Sequence, residues 1–78
     1  MSVRAGNVQG VHVVTVAGPL IGGEDIDALR SEMKNAIHAN EKKLLIDLSD
    51  VPYVNSTAIG VLMSAYTSYT RRNWALAF

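Results

Sequence analysis

The chain has 78 residues, enough for one domain and no more, and a domain of this size buries only roughly 60% of the surface that its unfolded chain exposes, so its core must be thin. Apolar residues make up 49% of it and charged residues 18%, a globular rather than a disordered composition. Seven basic and seven acidic side chains cancel, and there is no cysteine; the balance argues against nucleic acid as a partner, and the missing thiols exclude a disulfide framework, a cysteine zinc site and a cysteine nucleophile.

The first residues, MSVRAGNVQG, lack the apolar stretch of a secretory signal. The longest apolar runs are a few residues, far short of a membrane span. Together with the lack of cysteine this gives a cytoplasmic expectation without membrane insertion. Ser2 to Val8 and Val11 to Ala17 read as two strands, the second dense in β-branched residues. Gln9-Gly10 between them predicts a tight antiparallel hairpin, since Gly10 is free to take φ > 0. Gly18 to Gly23 breaks the pattern. Glu24 and Asp25 then suit a helix N-terminus, and Ile26, Leu29, Met33 and Ile37 form one helical stripe running to about His38, with Asn40 as its C-terminal cap.

Leu44 to Leu48 is a short apolar run, a buried strand with helices on a face of its sheet. Ser49-Asp50-Val51-Pro52 is turn chemistry. Asn55, Ser56 and Thr57 are all good N-caps, and they precede a second stripe of Ile59, Leu62, Met63, Tyr66 and Thr70. This places Tyr66 in the core and leaves Tyr69 partly exposed. The helix stops near Arg71-Arg72-Asn73, and Trp74 to Phe78 begins another strand. The order β-β-α-β-α-β predicts an α/β fold: a mostly parallel sheet with right-handed crossovers and an N-terminal antiparallel hairpin.

The segment LLIDLSDVPYVNSTAIG, Leu44 to Gly60, resembles the core of STAS domains, in which an apolar strand ends in Asp-Leu-Ser and a short loop leads to Asp-Ser-Ser-Gly-Leu-Gly opening a helix. Asp47, Leu48 and Ser49 match the strand end. Asn55 stands where the family has Asp, Ser56 and Thr57 match the two Ser, Ala58 the Gly, Ile59 the Leu and Gly60 the final Gly. Val13 to Leu20 is similar to the family's second strand followed by Gly-x-Leu. The resemblance implies the STAS β-α superhelix, and one domain over 1–78 that lacks the family's further helix, strand and terminal helix.

It also implies a function: an anti-sigma factor antagonist that binds an anti-sigma factor serine kinase and so regulates sigma-factor-dependent transcription. Phosphorylation of the Ser matching Ser56 dissolves the complex, and a serine phosphatase resets it. The expected modification site is Ser56, with Thr57 as second choice. The expected partner-binding residues are Asp47, Tyr53, Asn55, Ser56, Thr57 and Tyr69. The alternative is an unphosphorylated STAS scaffold, a stressosome-like or transporter regulatory subunit, which the uncharged Asn55 favours.

The residues carry blander readings too. Asn55-Ser56-Thr57 is a cap cluster whatever else it does, and its N-x-[ST] pattern carries little weight without a secretory signal. Asp47 and Asp50 are close in sequence, but one ends a strand and the other sits in a turn, where Asp bonds its own backbone. His12 and His38 have no metal-ligand spacing around them. Gly18 to Gly23 is neither a P-loop nor a dinucleotide fingerprint. No cofactor, metal or catalytic set is expected, so the chain reads as an interaction module rather than an enzyme. The apolar strand Trp74 to Phe78 would leave an edge open to self-association.

Overall fold

The computed structural model describes residues 2–78. Two strands open the chain, β1 (Ser2–Val8) and β2 (Val11–Ala17), followed by α1 (Gly23–His38), β3 (Lys43–Asp50), α2 (Ser56–Arg71) and β4 (Ala75–Ala77). The sheet order is the chain order, β1-β2-β3-β4. β1 and β2 are antiparallel, while β2–β3 and β3–β4 are parallel. Gln9 and Gly10 both take positive φ, 51° and 83°, as a two-residue primed turn requires. Asn7 supports that turn by accepting from the Gly10 N–H at 3.1 Å.

Sequential parallel strands with right-handed crossovers put both helices on one face of the sheet. The core lies between them: Val14, Val16, Leu44 and Ile46 from the strands, Leu20 from the loop after β2, Ile26, Leu29, Met33 and Ala36 from α1, and Ala58, Leu62, Ala65 and Tyr69 from α2. The molecule is only 17 Å along its shortest axis, the thickness of two layers. Asn40 and Asn73 take φ of 57° just past the helix ends, the left-handed turn that stops a helix. Trp74 then packs edge-on against Tyr69, with ring centroids 5.5 Å apart.

Three sequence expectations are corrected. The stripe of α2 is rotated: Ile59, Met63, Tyr66 and Thr70 are exposed, and the buried face is Ala58, Leu62, Ala65 and Tyr69. Apolar residues lie nearly all round this helix, so two stripes share Leu62. The fold buries the one with alanines, which let α2 sit close to the sheet and leave room for the Tyr69 ring. Asp50 belongs to β3 rather than to a turn, its carbonyl accepting from the Gly18 N–H at 3.0 Å. β3 has the helices on one face, as expected, but it is not buried throughout: Leu44 and Ile46 face the helices, whereas Leu45 is exposed on the opposite face, which no helix covers among the described residues.

Candidate partner-binding and modification surface

The loops that leave the C-terminal ends of β2 and β3 are laced together. Beyond Gly18, the Leu20 N–H donates to the Tyr53 carbonyl at 3.1 Å, and the Asn55 N–H donates back to the Leu20 carbonyl at 3.1 Å. Leu20 and Val54 thereby form a short parallel bridge. It continues the β2–β3 ladder past the register shift between Thr15 and Ala17. Gly18 carries the bend at φ 95°, and Leu20 is fully buried beneath the crossing. The C-terminal ends of parallel strands are where open α/β sheets gather their sites.

Asn55 is the N-cap of α2. Its extended backbone, φ −88° and ψ 174°, lets the side-chain oxygen accept from the Ala58 N–H at 2.9 Å. Its amide nitrogen donates to the Ile21 carbonyl at 3.3 Å. One side chain thus closes the helix and ties it to the loop after β2. A carboxylate at this position has only acceptors and could not make the second bond. Ile21, whose side chain is half exposed beside this junction, is not among the residues expected from the sequence; an apolar residue standing outside either helical stripe was the available signal.

Ser56 and Thr57 are the first two residues of α2 and both are exposed. Their hydroxyls take no part in the lacing, and their backbone N–H groups precede the first bonds of the helix. α1 balances its N-terminal dipole with Glu24 and Asp25, whereas the first turn of α2 holds no acid. The start of α2 is therefore an uncompensated positive end at which negative charge is favoured. Tyr53, 59% exposed, stands beside it on the preceding loop.

Two other expected residues lie elsewhere. Asp47 is paired in register with Thr15, and its neighbours Ile46 and Leu48 turn toward the helices, so its side chain turns to the opposite face. There its carboxylate accepts from the Ser49 hydroxyl at 2.7 Å and the Ser49 N–H at 3.0 Å. These bonds, the hydroxyl first, hold its pKa below the ordinary value. The local Asp–backbone bond expected at Asp50 is thus made by Asp47. Tyr69, expected to be partly exposed and open to a partner, is fully buried instead, with its hydroxyl donating to the Glu41 carbonyl at 2.7 Å. Burial, reinforced by the Glu41 charge and partly offset by Arg72, pushes its pKa up. Among the described residues no three His, Asp or Glu side chains gather as a metal site, and no helix is long and apolar enough to cross a membrane.

A model of the STAS domain matches residues 2–78. The chain belongs to the STAS domain family. This STAS domain shares its fold with the anti-sigma factor antagonist SpoIIAA in its unphosphorylated form, at a TM-score of 0.79 and 12% identity over 96% of this chain and 69% of that one. The Bacillus cell fate determinant SpoIIAA in the phosphorylated form gives 0.80 at 10% identity, over 99% and 70%. An anti-sigma factor antagonist from Mycobacterium paratuberculosis gives 0.76 at 27% identity, over 85% of this chain and 56% of that one. No curated protein matches the sequence. The mixed sheet with its antiparallel hairpin and parallel remainder is the SpoIIAA arrangement.

Proposed function

We propose that this STAS domain is an anti-sigma factor antagonist, an interaction module that binds an anti-sigma factor serine kinase and is released when that kinase phosphorylates Ser56. The observation that carries the reading is an exposed serine at the first position of a helix whose first turn holds no acid. A phosphate there adds about −1.5 to −2 charge at pH 7. The bare N–H groups and the dipole of α2 accommodate that charge within the domain, so the fold changes little. A partner seated on Tyr53, Asn55, Ser56 and Thr57 would instead have to desolvate or repel a dianion, and binding falls.

The test is phosphorylation by the cognate anti-sigma factor kinase, with the modified residue mapped by mass spectrometry. Phosphate is expected on Ser56. Ser56→Asp is expected to weaken binding to that kinase while leaving the unfolding midpoint nearly constant, and Ser56→Ala to bind constitutively. Phosphate on Thr57 alone overturns the switch at Ser56 and moves it to the second-choice residue; phosphate on neither residue transfers the role to the unphosphorylated scaffold, for which the uncharged Asn55 cap speaks. Equal binding by wild type and Ser56→Asp overturns the switch even where the partner is right.

A further inference from the structure

On the outer side of the helical layer, α1 and α2 leave a groove of about 560 Å³ between them, open to solvent. Its apolar walls include Met33 and Ile37 from α1 and Val61 and Ala65 from α2. Arg30 and Lys34, one helical turn apart, stand along the α1 side. The α2 side carries the hydroxyls of Thr57, Ser64 and Ser68, with Gly60 among them. The two cations are available. Lys34 has no carboxylate within 4.0 Å among the described residues, and Arg30 has only Asp27, at 3.4 Å with both side chains mostly exposed, a pair worth little in water.

Gly60 shapes the groove. A glycine inside a helix is destabilising relative to alanine, and here no packing inside the domain requires it, because a Cβ at this position would meet nothing within 4 Å. Its missing side chain keeps the α2 wall low where the groove is lined by Val61 and Ser64.

We infer that this groove binds a single-chain amphiphilic anion of the fatty-acid type, its hydrocarbon along the α1–α2 seam and its carboxylate on Arg30 and Lys34. The lining selects the chain. The groove runs along the ~16 Å of helix from Thr57 to Ser68, with apolar side chains on both walls and the two cations of α1 within reach of a head group. An extended peptide would lay its N–H and C=O groups against walls whose own backbone groups are already paired within α1 and α2, and would lose hydrogen bonds on binding. A hydrocarbon chain has no such groups to satisfy. Apolar walls with a few polar groups among them are the usual make-up of a small-molecule site. This inference does not rest on phosphorylation of Ser56.

Dodecanoate, kept below its micelle-forming concentration, is the probe, with amide shifts followed by NMR. Saturable one-to-one binding is expected, with shifts centred on Gly60, Val61 and Ser64. Gly60→Leu fills the groove and should weaken binding about tenfold or more, with an unchanged circular dichroism spectrum. Arg30→Gln combined with Lys34→Gln should weaken dodecanoate but not dodecanol, which separates the head-group contact from the chain contact. The inference is overturned if Gly60→Leu binds dodecanoate like wild type, or if dodecyltrimethylammonium binds as tightly as dodecanoate. It also fails if an acidic amphipathic peptide shifts the groove and dodecanoate does not.

Discussion

A carboxamide at position 55 accepts at one end and donates at the other, and the structure uses both ends. The acceptor caps α2 through Ala58, and the donor holds the Ile21 carbonyl on another loop. Asn55→Ala removes both bonds, and loss of an N-cap side chain costs about 0.5–2 kcal/mol; urea unfolding is expected to show a loss toward the upper end of that range, and one below about 0.5 kcal/mol would mean that neither bond contributes. The capping role of Asn55 was legible from its place before an apolar helix. Its second bond was not, because the acceptor lies 34 residues away on the chain and no local pattern reports it. Tyr69 makes the complementary case. Its pKa is raised by burial and by Glu41, so its neutral hydroxyl stabilises the fold fully below the unfolded tyrosine value of about 10. That contribution is lost as pH rises through the higher folded value. Tyr69→Phe is expected to remove a late step from the alkaline tyrosinate absorbance titration and to flatten the fall in stability above pH ~10. An unchanged titration would mean that another tyrosine carries it.

Helix α2 was legible as an element, in its length and both its ends, but not in its rotation. Periodicity fixes the spacing of a stripe, and α2 offers two of them. Ranking by side-chain size favours Ile59, Met63 and Tyr66; packing against a sheet favours the small residues Ala58 and Ala65, with Leu62 and Tyr69 filling what remains. α1 presented no such choice, since its other faces are polar, and Ile26, Leu29 and Met33 are buried as the spacing predicts. The two faces of α2 should separate in mutagenesis. Leu62→Ala is expected to cost about 2–5 kcal/mol. Met63→Ala, one position on and half exposed, should stay within about 0.5 kcal/mol. Equal costs at the two positions would count against the observed rotation.

At the scale of the whole molecule the topology was the most legible feature. Strands alternating with helices, joined by right-handed crossovers, leave little freedom in strand order once the Gln9-Gly10 hairpin is placed. The bare side of the sheet was harder to see. Leu44-Leu45-Ile46 reads as uninterrupted apolar sequence, yet only its first and third residues meet a helix, while Leu45 lies in register with Val13 and Ala77 on the uncovered face. The junction that holds the candidate surface together was also beyond local sequence, since it joins the loop after β2 to the loop after β3 through backbone atoms that every residue possesses.

The identity of strand order and chain order bears on how the molecule is assembled in time. No strand has to be inserted between two that are already paired, so the sheet can grow in one direction as the chain emerges from a ribosome. A hairpin such as β1–β2 closes in about 1–10 μs. The slow event is then the first crossover, in which Val14 meets Ile46 and the intervening α1 must be ordered at the same moment. β4 is added last, on a sheet that already exists. In stopped-flow chevrons Ile46→Ala is expected to slow refolding, and Leu76→Ala to act chiefly by speeding unfolding; the reverse pattern would place the nucleus at β4 and the growth of the sheet in the opposite direction.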